Sequence, residues 1–186
     1  MDTSPRPRDR LAALARGFTI AELLVVVLII GSIAVVAVPM LTSNDVKLDA
    51  AQAEVGNALR FALREASRTG GYVLVDAGTS PGRVLLLNSD VAAVRGSEVI
   101  DPLTKRAMDI DVAASAFFSG VQVNPRFISP AGTHTQLLIG PGPAFWAAQS
   151  SVVMGTLQPG SGIDLTLGSR TVAISFDSVS GRVVVP

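Results

Sequence analysis

Hydrophobic and polar positions divide the chain into three textures. Residues 23–41 carry no charge, and Ser32 is their only polar side chain. At about 1.5 Å of rise per residue, that run predicts a helix able to cross a hydrocarbon core of about 30 Å. Gly31 and Pro39 lie inside it. Membrane helices tolerate both, so the helix is expected to kink and to continue past Pro39. From Asp45 to Arg68 the pattern turns amphipathic, with Leu48, Val55, Leu59, Ala62, Leu63 and Ala66 at helical spacing. Ser43 or Asn44 suits its N-cap, and Gly70-Gly71 ends it. An uninterrupted helix over residues 18–69 would extend about 78 Å. Its lower half is apolar; its upper half has one stripe to bury.

After Gly71, short apolar runs alternate with clusters of Gly, Pro, Ser and Asp, the texture of strands and turns. Strands are predicted at residues 72–76, 83–88, 108–112, 117–123, 127–128, 135–139, 163–167, 171–176 and 182–185. The last two read as an antiparallel hairpin around residues 177–181. Gly140-Pro141-Gly142-Pro143 is a rigid break, and residues 144–154 read equally as helix or loop. The expected fold class is α+β. One long N-terminal α-helix, a membrane-spanning half followed by an amphipathic half, packs on a mostly antiparallel β-sheet domain.

Charge adds an orientation. The chain has 186 residues and no net charge, but Arg6, Arg8, Arg10 and Arg16 all precede the apolar run. Basic residues flanking a membrane helix favour the cytoplasmic side, so the C-terminal domain is expected across the membrane. A cleaved secretory signal fits poorly. Its apolar region is roughly 7–15 residues and is followed by small residues, whereas here Val38-Pro39-Met40-Leu41 closes a longer run. Cysteine is absent, so neither disulfides nor thiol chemistry are available. One carboxylate, Glu22, stands at the head of the run. Ionisable groups in such segments have partners, and the nearest basic side chain is Arg16.

Arg16-Gly17-Phe18-Thr19-Ile20-Ala21-Glu22-Leu23 resembles the prepilin processing motif of type IV pilins and type II secretion pseudopilins. The resemblance implies cleavage between Gly17 and Phe18 by a prepilin peptidase and N-methylation of Phe18. It also makes Glu22 the carboxylate that guides subunit packing, with the α-amino group of a neighbouring Phe18 as its partner. The chain then divides into a cytoplasmic leader (1–17), a transmembrane and assembly helix (18–41), its amphipathic continuation (42–69) and a β-rich globular head (70–186). Within the group, Arg126-Phe127-Ile128-Ser129-Pro130-Ala131-Gly132-Thr133 resembles the strand and Pro-x-Gly-Thr turn of GspH/FimT-type minor pilins. Residues 172–185 resemble their closing hairpin. The implied function is a minor pilin or pseudopilin subunit of a type IV pilus or type II secretion pseudopilus. Its implied partners are the prepilin peptidase, other pilin subunits and, before assembly, the inner membrane. The implied location is the bacterial inner membrane, single-pass, with the N-terminus cytoplasmic and the head periplasmic, followed by the filament.

Other chemistry finds little footing. His134, the one histidine, stands beside a turn and reads as a surface residue. The glycine-rich residues 155–162 lack the lysine of a phosphate-binding loop. Asp109 and Asp111 share a strand face, but the Gly and Glu of a calcium loop are missing. No catalytic residue, cofactor or metal is expected, and the chain reads as not an enzyme. A second reading is a FimT-like minor pilin that binds extracellular DNA for transformation. Those proteins carry a terminal Gly-Arg-x-Arg; here Gly181-Arg182-Val183-Val184 lacks the second arginine. Arg170 and Arg182 would be the DNA contacts, with Lys105, Arg106 and Arg126 elsewhere. Phosphate binding needs clustered cations. Without the leader's four Arg and two Asp, fifteen of each sign become eleven basic against thirteen acidic residues.

Overall fold

The computed structural model describes residues 19–41, 44–79, 81–178 and 180–185, and the surroundings of side chains in 34–41 lie outside that description. The chain forms two compact units, Met1–Thr42 and Ser43–Pro186. In the first, α1 spans Ile20–Leu41, with Pro39 inside it. In the second, α2 spans Asn44–Thr69, and the remainder is antiparallel β-structure.

Seven strands make the larger sheet: β1 (Tyr72–Asp76), β2 (Arg83–Ser89), β3 (Arg95–Glu98), β4 (Asp109–Asp111), β7 (Gln136–Ile139), β8 (Phe145–Gln149) and β9 (Val152–Thr156). Their order is β3-β2-β1-β7-β8-β9, with β4 also paired to β2. Five make the smaller: β5 (Gln122–Ser129), β6 (Gly132–His134), β10 (Gly162–Leu167), β11 (Arg170–Asp177) and β12 (Arg182–Val184), in the order β12-β11-β10-β5-β6. The closing hairpin pairs Ser175 with Val184 and Asp177 with Arg182.

The α2 stripe explains why this half of the chain is a helix on a sheet. Leu48, Ala51, Val55, Ala58, Leu59, Ala62 and Ala66 are all buried and join Val73, Val75, Ile163, Leu165 and Ile174 in one core. Four of those helix residues are alanines, which bring the backbone close to the strands. Gly56 completes the close approach: a Cβ there would lie 2.9 Å from Val185 Cγ2. Gln52 is buried on the same stripe, and its amide donates to the Ala173 carbonyl of β11 at 3.1 Å.

β1 is buried on both faces. Val73 and Val75 enter the main core, while Leu74 enters a smaller one with Leu85, Leu87, Ala93, Leu138 and Ala148. That is why its sequence is a continuous apolar run rather than an alternating one. The two sheets meet through three aromatic rings. Phe127 of β5 lies edge-on to Phe176 of β11 at 5.9 Å, and Phe176 lies edge-on to Phe145 of β8 at 5.7 Å.

Two expectations are corrected. The α+β fold organised on a single long N-terminal helix is not what the chain adopts. It is a mostly antiparallel β protein with two separate helices, α1 and α2, in different compact units. The physical difference between the helices is plain. α2 buries an amphipathic stripe within its own unit, whereas α1 is aliphatic with its described side chains exposed. The second correction concerns location. Among the described residues no helix is long and apolar enough to cross a membrane. This overturns the expected single-pass placement in the inner membrane.

Candidate functional site

The start of α1 is built by two residues that embrace. Thr19 precedes the helix, and its carbonyl accepts the Leu23 amide at 3.1 Å, the first helical bond. Its amide donates to Glu22 Oε2 at 2.9 Å and its hydroxyl to the same oxygen at 3.1 Å. The Glu22 amide donates back to the Thr19 hydroxyl at 3.2 Å. This is a capping box, Thr-x-x-Glu, in which each side chain satisfies the other's backbone N–H. A carboxylate in the first turn is also favoured by the helix dipole. Both oxygen contacts use Oε2, so the structure gives Glu22 a local partner that the sequence reading did not find.

Among the described residues of the helix beyond Glu22, Ser32 is the one polar side chain, and the rest of the surface is aliphatic. Exposure runs from 46% at Val26 to 83% at Ile20, and Leu23, Leu24, Leu28, Ile30 and Ile33 are all at 60% or more. Gly17 and Phe18, the processing pair, lie outside the described residues.

The residues expected to contact DNA are not brought together as a free cationic cluster. Arg170 is bound by two carboxylates of α2, Asp45 at 2.5 Å and Asp49 at 3.2 Å. Arg182 is exposed on β12 at the sheet edge. Arg126 forms two bonds to Asp164, each 3.2 Å, and donates to the Gly160 carbonyl. Arg83 is bidentate to Asp109 across the β2–β4 pair. That accounts for Asp109, while Asp111 accepts the Ala114 amide at 2.8 Å. Among the described residues no three His, Asp or Glu converge as a metal would need.

Two polar clusters escaped the sequence reading. His134 is buried rather than on the surface, and its Nε2 is 2.9 Å from the Ser129 hydroxyl across the β5–β6 hairpin. That hydroxyl also accepts the Ala131 amide at 3.1 Å. Ser129 and His134 are 3% and 6% exposed, so the pair is closed to a substrate and ties the hairpin together.

The other cluster surrounds Asp76 at the end of β1. This carboxylate is 1% exposed and accepts from the Gly78 and Thr79 amides, the Thr79 hydroxyl (2.7 Å), Gln136 Nε2 (2.9 Å) and Arg95 (2.9 Å). Burial alone would raise its pKa, but the Thr79, Gly78 and Gln136 hydrogen bonds and the Arg95 charge together hold it below the ordinary carboxylate value. A group whose folded pKa is depressed contributes stability above its unfolded pKa and loses it as pH falls through the folded one. The urea midpoint is therefore expected to fall on the acid side of about pH 4, and Asp76→Asn is expected to flatten that fall. Equal pH profiles for the two proteins would remove Asp76 as its source.

No family model matches the chain, and neither a curated protein nor a solved structure does.

Proposed function

We propose that the chain is a filament subunit of the minor pilin or pseudopilin class, cut after Gly17, N-methylated at Phe18 and held in its filament by α1. The observation that carries this reading is the aliphatic surface of α1, bare over residues 20–33 and interrupted by one ionisable group, Glu22 in the first turn. Apolar surface gains about 25 cal/mol for each Å² removed from water. Helices of the same kind, packed side by side, supply that cover and leave the charge of Glu22, which Thr19 hydrogen-bonds without neutralising, to be compensated. The processing motif at residues 16–23 fits the same account, because a cut after Gly17 would leave Glu22 near a new α-amino group. Arg170, committed to Asp45 and Asp49, gives the DNA reading no support.

The test is the intact mass and N-terminal sequence of the protein from cells with an active prepilin peptidase. The expected chain begins at N-methylated Phe18. A chain still beginning at Met1 would overturn the reading.

A further inference from the structure

We infer that residues 90–95 form a strap that opens separately from the rest of the Ser43–Pro186 unit, with the Arg95–Asp76 pair as its latch, and that opening uncovers an apolar recess on one face of the larger sheet. The inference does not rest on the filament reading; it assigns a conformational device to the β-rich unit.

Strand register builds the recess. Leu74 of β1 pairs with Leu87 of β2 and Leu138 of β7, and two residues further along β1 Asp76 pairs with Leu85 and Gln136. Alternation puts all six side chains on one face, where Leu74, Leu85, Leu87 and Leu138 form the smaller core with Ala148. The strap contributes Ala93 to that core, fully buried, while Val91 and Val94 beside it are 65% and 50% exposed. Its apolar hold on the recess is therefore one methyl group. The other bonds of the strap are local. Asp90 Oδ1 accepts the Ala92 and Val94 amides at 2.9 and 3.0 Å, and the Ala93 amide donates to the Asp90 carbonyl at 3.2 Å. These close the turn on itself and move with it. Beyond the strap, the Asn88 amide donates to the Ser97 hydroxyl at 3.1 Å and keeps β3 on β2.

Arg95 supplies the latch. β2 lies between β3 and β1 in the sheet, so the Arg95 side chain crosses over β2 to reach Asp76 at 2.9 Å and the Thr79 hydroxyl at 3.2 Å. Its guanidinium is the charged group on Asp76; the other partners, Gly78, Thr79 and Gln136, are neutral. The closed strap carries two local costs. Ala93 sits at φ +65°, in the left-handed region that a residue with a Cβ disfavours. Gln136 gives its amide nitrogen to Asp76, and its Oε1 is buried with no hydrogen-bond partner among the described residues. An unmet buried acceptor favours any motion that admits water. Arg95 and Gln136 share the same Asp76 oxygen, so lifting the guanidinium brings water to that acceptor. Opening therefore relieves backbone strain and an unmet acceptor at the expense of one buried methyl. What opposes it is the ion pair. Segments with so small an apolar anchor open below the free energy of global unfolding.

The test is hydrogen exchange of the full chain, read by mass spectrometry at one neutral pH, for the parent, Arg95→Gln, Asp76→Asn and Arg83→Gln. Arg83, paired with Asp109 on the same sheet, is the control. The amides of residues 90–95 are expected to exchange roughly tenfold faster in Arg95→Gln and Asp76→Asn, because each leaves a charge or a strap without its partner. β10 should stay as protected as in the parent, and Arg83→Gln should leave the strap unchanged. Arg95→Gln decides alone where Asp76→Asn does not fold. Strap exchange equal to the parent would overturn the latch. So would a rise shared equally by β10, which makes the pair a fastener of the whole unit, or an equal rise in Arg83→Gln. Ala93→Cys gives a second readout, since the chain has no other cysteine. Maleimide labelling of that thiol is expected to be slow with the latch intact and roughly tenfold faster when Arg95→Gln is added. Labelling as fast as free cysteine with the latch intact, or equal rates with and without Arg95, would overturn the strap.

Discussion

Phe127→Ala is expected to destabilise the Ser43–Pro186 unit by about 3–5 kcal/mol, the range for emptying a buried aromatic site. Phe127 is fully buried on β5, and its ring meets Phe176, which in turn meets Phe145 on the other sheet. The substitution removes the first ring of that chain and leaves a cavity where the sheets join. An edge-to-face pair adds about 0.5–1.5 kcal/mol beyond the area it buries. Domains of this size have total stabilities of about 5–15 kcal/mol, so the loss consumes a large share. At roughly 2–4 °C per kcal/mol, the melting temperature should fall by roughly 10–15 °C. Phe127→Leu keeps most of the volume and is expected to cost under about 1.5 kcal/mol, as other volume-conserving swaps do. Thermal and urea unfolding of the three proteins measures both. A fall of under about 3 °C for the alanine variant would mean that the sheets are joined elsewhere.

The motif around Phe127 shows what the sequence made legible. Most strands that later pair were visible as short apolar runs, because each has at least one buried face and a turn of Gly, Pro or Asp beside it. The α2 stripe was visible for the same reason: Leu48, Val55, Leu59, Ala62 and Ala66 follow the helical period and are buried, while Leu63, expected with them, is partly buried at the edge of the core. Misses occurred where that logic has nothing to read. β3 is Arg95-Gly96-Ser97-Glu98, exposed throughout and held by backbone pairing to β2, so it has no hydrophobic signal. The β8–β9 hairpin lay in the ambiguous residues 144–154. Its turn uses Ser150 and Ser151 at φ +50° and +63°, where Asn-Gly or Asp-Gly would have announced it. Phe117-Phe118 was expected in a strand but lies in the loop before β5, Phe118 buried and Phe117 exposed, so two adjacent aromatic residues do not share one environment. Conversely, β5 runs unbroken over Gln122–Ser129, through Pro125, where separate stretches at 117–123 and 127–128 were predicted. Pro is tolerated there because β6 pairs only with residues 127–129 and leaves that side of Pro125 an open edge. At the candidate site, the lone carboxylate identified Glu22. The Thr19-x-x-Glu22 spacing carried a second signal, the capping box, which was not read.

That second signal changes what a Glu22 substitution means, and the largest functional effect is expected there. Glu22→Ala removes two things at once: the acceptor for the Thr19 amide and hydroxyl, and the only ionisable side chain of residues 20–33. A loss of filaments after this substitution alone would therefore not separate a frayed helix start from a missing charge between subunits. Three variants separate them. Glu22→Gln keeps an acceptor of the kind the box uses and removes the charge. Thr19→Ala removes the box from the other side and keeps the charge. Glu22→Asp keeps the charge on a side chain one methylene shorter. If the carboxylate pairs with a cation of the neighbouring subunit, Glu22→Ala and Glu22→Gln should both lower filament yield by roughly a hundredfold, since a buried cation left without its partner is strongly unfavourable. Thr19→Ala should then lower the yield only a few-fold, as loss of a helix cap does, and Glu22→Asp should fall between. The opposite ranking, with Glu22→Gln near the parent and Thr19→Ala as poor as Glu22→Ala, would assign Glu22 to the helix start alone. Sheared filaments quantified from cells at equal subunit abundance decide between the rankings. The subunit should fold in every variant, because the core of Ser43–Pro186 contains none of these side chains.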